Sequence, residues 1–436
     1  MASTSILNRG RKPLVFKYLV LVLLLTLFVF PVTAQDAGLS VDASQPVGAI
    51  NPFVYGANYG PWALAPVDMW PMVENSGITY LRFPAGNWGD QNDISEAQLD
   101  MFITQARKWK MEPHVHVRLL NGTPEKAAEL VRYANIEKDY NIRYWSIGNE
   151  PNLFKDYTVE QFNKDWRPIA EAMLKVDPKI ILTGPEVSQY PPNDDPSDYR
   201  APLREWVRQF LKVNGDLVGL VSIHRYPFPV SMSSGAETDD QLRENSDEWD
   251  TIIPDIHAVI KDATGHDMPV AVTEVNSNWD NGASAPTTFI HSIWWADVLG
   301  RMIRQRVEIV NYFALFTKDS NFGLLGRYDA RPAYYVYQLY KQFGKQLLTS
   351  ASSDKDVSVT AALKDDGSLT LIIVNRAADE KTMPITLKGF TLSGAADVWL
   401  MDKDHKAEQI GTQDFTTGTL TLPAESATLY VIPASK

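Results

Sequence analysis

From about residue 50 to 345, short apolar or β-branched runs alternate with stretches whose apolar positions recur at helical spacing. Eight strand candidates can be read: "FVYGANY" from Phe53, "TYLRFP" from Thr79, "PHVHVRLL" from Pro113, "RYWSIGNE" from Arg143, "KIILTGPE" from Lys179, "VGLVSIHRY" from Val218, "PVAVTEVN" from Pro269 and "IVNYFALF" from Ile309. The helices between them carry start signals. Ser95 with Gln98, and Thr158 with Gln161, are spaced as capping boxes, and Thr123 precedes a proline suited to the first helical position. Gly215 and Gly265 follow helical patterns as stops. Eight strand-then-helix units over some 300 residues predict a (β/α)8 TIM barrel. An open doubly wound sheet is the alternative, but no Gly-rich phosphate fingerprint follows the first strand.

After "RPAYYVYQLYKQFG", from Arg331, the period shortens to two: "DVSVTAAL", "SLTLIIVN", "TMPITL", "ADVWLM" and "TLTLPAESATLYVIP" follow, separated by turn signals such as Asp365-Asp366-Gly367. Residues 346–436 therefore read as a small C-terminal all-β sandwich behind a barrel at 50–345. The alternating stretch 35–49 is expected to join that sandwich as an N-terminal strand.

Composition adds an address and removes some partners. Arg9, Arg11, Lys12 and Lys17 precede an apolar run from Tyr18 to Val32 that ends in Thr33 and Ala34, the order of a secretory signal peptide over 1–34. The apolar run is short for a membrane span, so stable membrane association is not expected after cleavage and the mature chain is expected to be secreted. Cleavage after Ala34 would take the Lys and Arg count from 41 to 37 against 53 acidic residues, a net charge of −16 instead of −12. That balance disfavours nucleic acid and polyanionic partners. With no cysteine, the chain has neither disulfides nor a thiolate nucleophile. Oligomeric state is unreadable from the sequence.

In a barrel of this kind the chemistry sits at the C-terminal ends of the strands. Three predicted strands end on glutamate: Glu150, Glu186 and Glu274. Each by itself has a bland reading, a carboxylate at an exposed strand end. Two carboxylates facing one another are what glycoside cleavage needs, one to protonate the leaving oxygen and one to attack the anomeric carbon. "GNEP" around Glu150 on the fourth strand and "VTEVN" around Glu274 on the seventh resemble the acid/base and nucleophile strand ends of clan A glycoside hydrolases, retaining enzymes built on a (β/α)8 barrel. The resemblance runs from strand two to the closing helix.

That resemblance implies further roles. Arg82 in "YLRFPAGN" matches an Arg that lies close to the nucleophile, Asn149 an Asn that binds the sugar 2-hydroxyl, and Tyr226 a Tyr that orients the nucleophile. His224, two residues before Tyr226, shares its strand face; a satisfied barrel-interior histidine is the other reading. Trp88 and Trp279 are expected at the substrate, with Tyr59, Trp62, Tyr190 and Phe316 as further stacking candidates, whereas Trp294 and Trp295 lie mid-helix and read as core. Glu186 matches no family position and reads as structural, with binding as the alternative. The expected charge logic is that Glu274 raises the pKa of Glu150 while Arg82 and Tyr226 keep Glu274 ionised.

"WSIGNEPNLF" is similar to the heparanase and β-glucuronidase family, "LRFPAGN" to the α-L-arabinofuranosidases, and "NEPNLF" with "RPAYYVYQLY" to the β-xylosidase and iduronidase family. The resemblance implies a retaining glycosidase acting on plant or microbial polysaccharide or oligosaccharide, without a cofactor or metal. Two rivals stand beside it: a barrel that binds carbohydrate without cleaving it, and a metal-dependent hydrolase using His114 and His116, with His224 as third ligand.

Overall fold

The computed structural model describes residues 38–228, 237–279, 287–318 and 322–435; the predicted signal peptide lies outside them. Strand β1 (Leu39–Ala49) opens the described chain, and eight parallel strands then close into a barrel: β2 (Gly56–Asn58), β3 (Tyr80–Phe83), β4 (Glu112–Val117), β5 (Tyr144–Ile147), β6 (Ile181–Val187), β7 (Val218–Arg225), β8 (Val270–Val275) and β9 (Ile309–Tyr312). Closure is by β9 on β2, Gly56 opposite Asn311. The barrel strands are buried almost throughout, which is why they read as continuous apolar runs. Helix starts follow the sequence signals. Ser95 forms a reciprocal capping box with Gln98, while Thr123 and Thr158 accept from the amides of Lys126 and Gln161. Gly265 ends its helix in the left-handed conformation at φ 81°, whereas Gly215 stays right-handed.

The C-terminal sheet has strand order β15-β14-β17-β12-β11-β10-β1-β13-β16. Here β10 is Gln346–Ser352, β11 Val357–Leu363, β12 Leu369–Asn375, β13 Lys381–Lys388, β14 Ala396–Met401, β15 Lys406–Gln413, β16 Thr419–Leu422 and β17 Ser426–Ile432. Strand β1 lies in this sheet, antiparallel to β10 and parallel to β13. Two of these strands escape the sequence pattern. β10 has only two strongly buried apolar residues, and β15 is an edge strand exposed along most of its length, so neither alternates. The run from Thr419 is two strands broken at Pro423, not one.

β12 shows how the two domains share a core. Leu369, Leu371 and Ile373 face the interior of the sandwich, while Ile372 and Val374 face the barrel side, so every residue of the strand is buried. Against that face lies helix α9 (Phe289–Arg304; α1–α8 precede it in the chain), buried from Ile290 to Ile303 with Trp294 and Trp295 inside. A helix apolar on all sides is one covered on both faces, here by barrel and sandwich.

Candidate active site

The register of the barrel brings the predicted residues to one mouth. Asn58 pairs with Arg82 across β2 and β3, and His224 pairs with Glu274 across β7 and β8. At the end of β8 the Glu274 carboxylate receives the Tyr226 hydroxyl on Oε1 at 2.6 Å and the Arg82 guanidinium on Oε2 at 3.3 Å. Glu150 sits three residues beyond β5 in the left-handed region, φ 48°, and its Oε1 meets His224 Nδ1 at 3.1 Å. Carboxylate oxygens of Glu150 and Glu274 and a ring nitrogen of His224 all lie within 4.8 Å of one another.

Asn149 is held at both ends. Its backbone N–H donates to Asp90 at 3.0 Å, and its side-chain oxygen accepts from Arg82 at 2.9 Å. Because a guanidinium is donor-only, that contact fixes the amide orientation and turns the NH2 group toward Asn87 at the mouth. Asn58 and Asp90 were missed in the sequence. Asn58 accepts from Arg82 while its own amide bonds the Thr273 carbonyl, so it aims Arg82; nothing in the local words "ANY" or "WGDQ" marks either residue.

Glu186 is the unexpected member of the cluster. It is fully buried, also in the left-handed region at φ 58°, and its Oε2 meets His224 Nε2 at 2.8 Å and Arg82 at 3.1 Å. The hydroxyls of Thr183 and Thr273 donate to its two oxygens. The sequence offered a signal, a third strand ending on Glu, but no pairing partner could be read from it.

The charge logic differs from the sequence expectation. Burial alone would discharge His224, yet the Glu274 charge and the hydrogen bonds to Glu150 and Glu186 raise its pKa to about 9. Burial also acts to raise Glu186, but Arg82 and His224 outweigh it and hold that carboxyl well below the usual range. For Glu150, burial is outweighed by His224, Ser188 and Arg82, and the carboxyl is lowered. Glu274 moves the other way: burial and the Glu150 charge raise it against His224, Arg82 and Tyr226. The order is therefore the reverse of the expected one, because the imidazolium lies closer to Glu150 than to Glu274, 3.1 against 3.9 Å.

The aromatic candidates divide by exposure. Trp279 is partly exposed and stands edge-on to Tyr226 with ring centroids 5.7 Å apart, Trp88 is partly exposed on the short helix after β3, and Trp62 stacks on Phe313. Tyr59, Tyr190 and Phe316 are buried, Tyr59 bonding Gln105 and Tyr190 bonding Asp255, so these three are core and not stacking platforms. Arg225, at the end of β7, is tied to Glu248.

The two histidines of β4 do not form a metal centre. His114 faces Thr183 and His116 faces the Pro84 carbonyl, both fully buried, and burial lowers His114 to about 3. Among the described residues the one group with three potential ligands is Glu150, His224 and Glu274, in which the imidazole is already bonded at both nitrogens.

A closed parallel barrel followed by a β-sandwich is a fold shared with solved carbohydrate-active enzymes. The structure superposes on AbfB, a family 51 α-L-arabinofuranosidase from Bifidobacterium longum, with TM-score 0.73 and 16% identity over 92% of this chain and 100% of the other. It also superposes on CelM2, a bifunctional glucanase-xylanase from a metagenome library, with TM-score 0.72 and 18% identity over 92% and 100%. Residues 347–428 match the glycosyl hydrolase family 30 β-sandwich domain. In sequence, a bovine (Bos taurus) heparanase is 26% identical over 51% of this chain and 40% of its own, and a β-xylosidase from Caldicellulosiruptor saccharolyticus 21% identical over 57% and 52%. The chain thus spans about half the length of the curated relatives it matches. These likenesses uphold the resemblance to the clan A glycoside hydrolases in barrel, sandwich and sequence.

Proposed function

We propose that the protein is a secreted retaining glycoside hydrolase acting on plant or microbial saccharide. The observation that carries this reading is the approach of Glu150 and Glu274 to within 4.8 Å at the barrel mouth, near the roughly 5 to 5.5 Å of retaining pairs and too close for the water an inverting enzyme seats between its carboxyls. Glu150 is lowered and Glu274 raised, and the first step needs the reverse of that order of the two carboxyls. With Glu150 protonated and Glu274 ionised, Glu274 attacks the anomeric carbon while Glu150 gives its proton to the leaving oxygen, so a glycosyl ester forms on Glu274 and the aglycone departs as an alcohol. In the second, Glu150 as carboxylate takes a proton from water, whose oxygen displaces Glu274. Tyr226 and Arg82 each hold one oxygen of Glu274, and Asn149 offers its NH2 to the sugar 2-hydroxyl, a bond that strengthens as the oxocarbenium character grows.

The relatives named heparanase and β-xylosidase act on different sugars. The acidic chain and the commitment of Arg225 to Glu248 favour a neutral sugar over a sulfated polyanion. The order of basic, apolar and small residues over 1–34 supports export, which N-terminal sequencing of the mature protein tests. Activity is tested with aryl β-xyloside, α-L-arabinofuranoside, β-glucuronide, β-glucoside and β-galactoside on the wild type and on Glu274→Gln. The expected result is hydrolysis of one of the neutral sugars, abolished by the substitution. A folded wild type silent on these and on oligosaccharides, or a Glu274→Gln variant as active as the wild type, would sink the proposal.

A further inference from the structure

His224 places each ring nitrogen on a carboxylate, Nδ1 on Glu150 Oε1 at 3.1 Å and Nε2 on Glu186 Oε2 at 2.8 Å. A neutral imidazole has one donor and one acceptor nitrogen, so it can serve only one ionised carboxylate as donor. With both carboxylates ionised, two such contacts at once call for the imidazolium. Glu186 has the means to stay ionised in full burial: Arg82 at 3.1 Å, and the hydroxyls of Thr183 and Thr273 at 3.0 and 2.7 Å. Its backbone is held in the left-handed region, as is that of Glu150, and the two are joined by a hydrogen bond from Glu150 N to the Glu186 carbonyl at 3.0 Å. Strained non-glycine residues concentrate where geometry serves function.

We propose that Glu186 is a positioning residue: by engaging Nε2 it holds His224 as a donor at both nitrogens, so that Nδ1–H stays on Glu150 Oε1 and the proton used in catalysis is confined to the second oxygen of Glu150. This rests on the glycosidase reading for its consequence, but not for its geometry. Without the Glu186 charge the imidazolium gives up its second proton at lower pH. Its remaining proton stays on Nε2, bonded to the side-chain oxygen of a glutamine at 186, and the bare Nδ1 then draws the proton of Glu150 onto Oε1, away from the leaving group. The charged and titratable groups around the ring are Glu150 beyond β5, Glu186 on β6, Glu274 on β8, Arg82 on β3, His114 on β4 and Tyr226 after β7. Removal of the one carboxylate at Nε2 leaves Arg82 without its opposing charge there, which further disfavours the imidazolium.

The test is Glu186→Gln, read in two ways. By 15N NMR of labelled histidine, the titration of His224 is expected to move down by more than about one pH unit relative to the wild type. This measurement needs no turnover, so it separates failure of this inference from failure of the glycosidase reading. In kinetics, kcat is expected to fall about 10- to 100-fold for an aryl glycoside with a poor leaving group, and by far less for a dinitrophenyl glycoside that departs without protonation, with KM little changed. An unmoved His224 titration, or an equal loss for both leaving groups, would overturn the assignment. Should Glu186→Gln fail to fold, Glu186→Asp, which keeps the charge but withdraws it from Nε2, is expected to move the His224 titration in the same direction by less; no movement would again overturn it.

Discussion

Two charge clusters in this molecule each gather three carboxylates around cations, and they behave in opposite ways. At the seam between barrel and sandwich, Arg301 and Arg376 meet Asp297, Asp247 and Asp250, with Ser246 also bonding Asp297. At the mouth, Arg82 and His224 meet Glu150, Glu186 and Glu274. The side chains of Asp247 and Asp250 are 53% and 52% exposed, and Arg304 acts on Asp297 and Asp250 as a third cation, so the seam holds no unbalanced charge away from water. At the mouth the three carboxylates are only 12%, 0% and 7% exposed. There the negative charge cannot reach solvent, and burial together with the Glu150 charge pushes Glu274 up. A structural cluster avoids that situation; general acid catalysis requires it.

Replacement of Glu274 by Gln should have the largest effect on activity, a loss on the order of 10^5-fold, because the attacking group is gone. Its melting temperature should hold or rise, since a carboxyl raised by burial and by Glu150 is uncomfortable when ionised. Asp297→Ala should do the reverse. It removes the one fully buried carboxylate that Arg301 and Arg376 share and leaves them the half-exposed Asp247 and Asp250, at a cost of about 3 kcal/mol in denaturant unfolding, with KM unchanged. If Glu274→Gln unfolds and Asp297→Ala does not, the contrast between the clusters is wrong.

Tyr226→Phe removes a hydroxyl donor from Glu274 Oε1, and a hydrogen bond to a charged group contributes about 1.5–3 kcal/mol. A fall in kcat of about 10- to 100-fold in steady-state assays is the expected outcome. A fall in kcat/KM through KM alone would mean that the bond serves substrate binding and not the nucleophile.

The smallest effects are in the pH dependence of stability. The folded pKa of His224 is raised to about 9 from 6.5, so its contribution is complete below about pH 6.5 and is lost as pH rises through about 9. Glu186 and Asp297 are lowered, so their contributions are present above the ordinary carboxylate range and are lost as pH falls below it. Melting curves from about pH 4 to about pH 10 should therefore fall at both ends. His224→Gln should flatten the alkaline fall and also lessen the acid one, because the imidazolium helps hold Glu186 low. An alkaline fall that survives this substitution would assign it to another group.

Much of this architecture was legible from periodicity. Parallel barrel strands are buried on both faces, so they announce themselves as apolar runs, and the stretch around β12 did the same in the sandwich. β15 stayed silent because an exposed edge strand has no face to protect and so no alternation. Residue identity carried the pair Glu150 and Glu274 and the residues Arg82, Asn149, Tyr226 and His224, because position at a strand end is a one-dimensional property. Tertiary structure alone decided which residues touch. It put Glu186 against Nε2 of His224, set Asn58 and Asp90 behind Arg82 and Asn149, withdrew Tyr59, Tyr190 and Phe316 into the core, and inverted the expected order of the Glu150 and Glu274 carboxyls. The reason is that electrostatic shifts depend on distances of a few ångströms between residues far apart in sequence. The chain specifies its strands locally; the balance of charge at the mouth exists only once the barrel has closed.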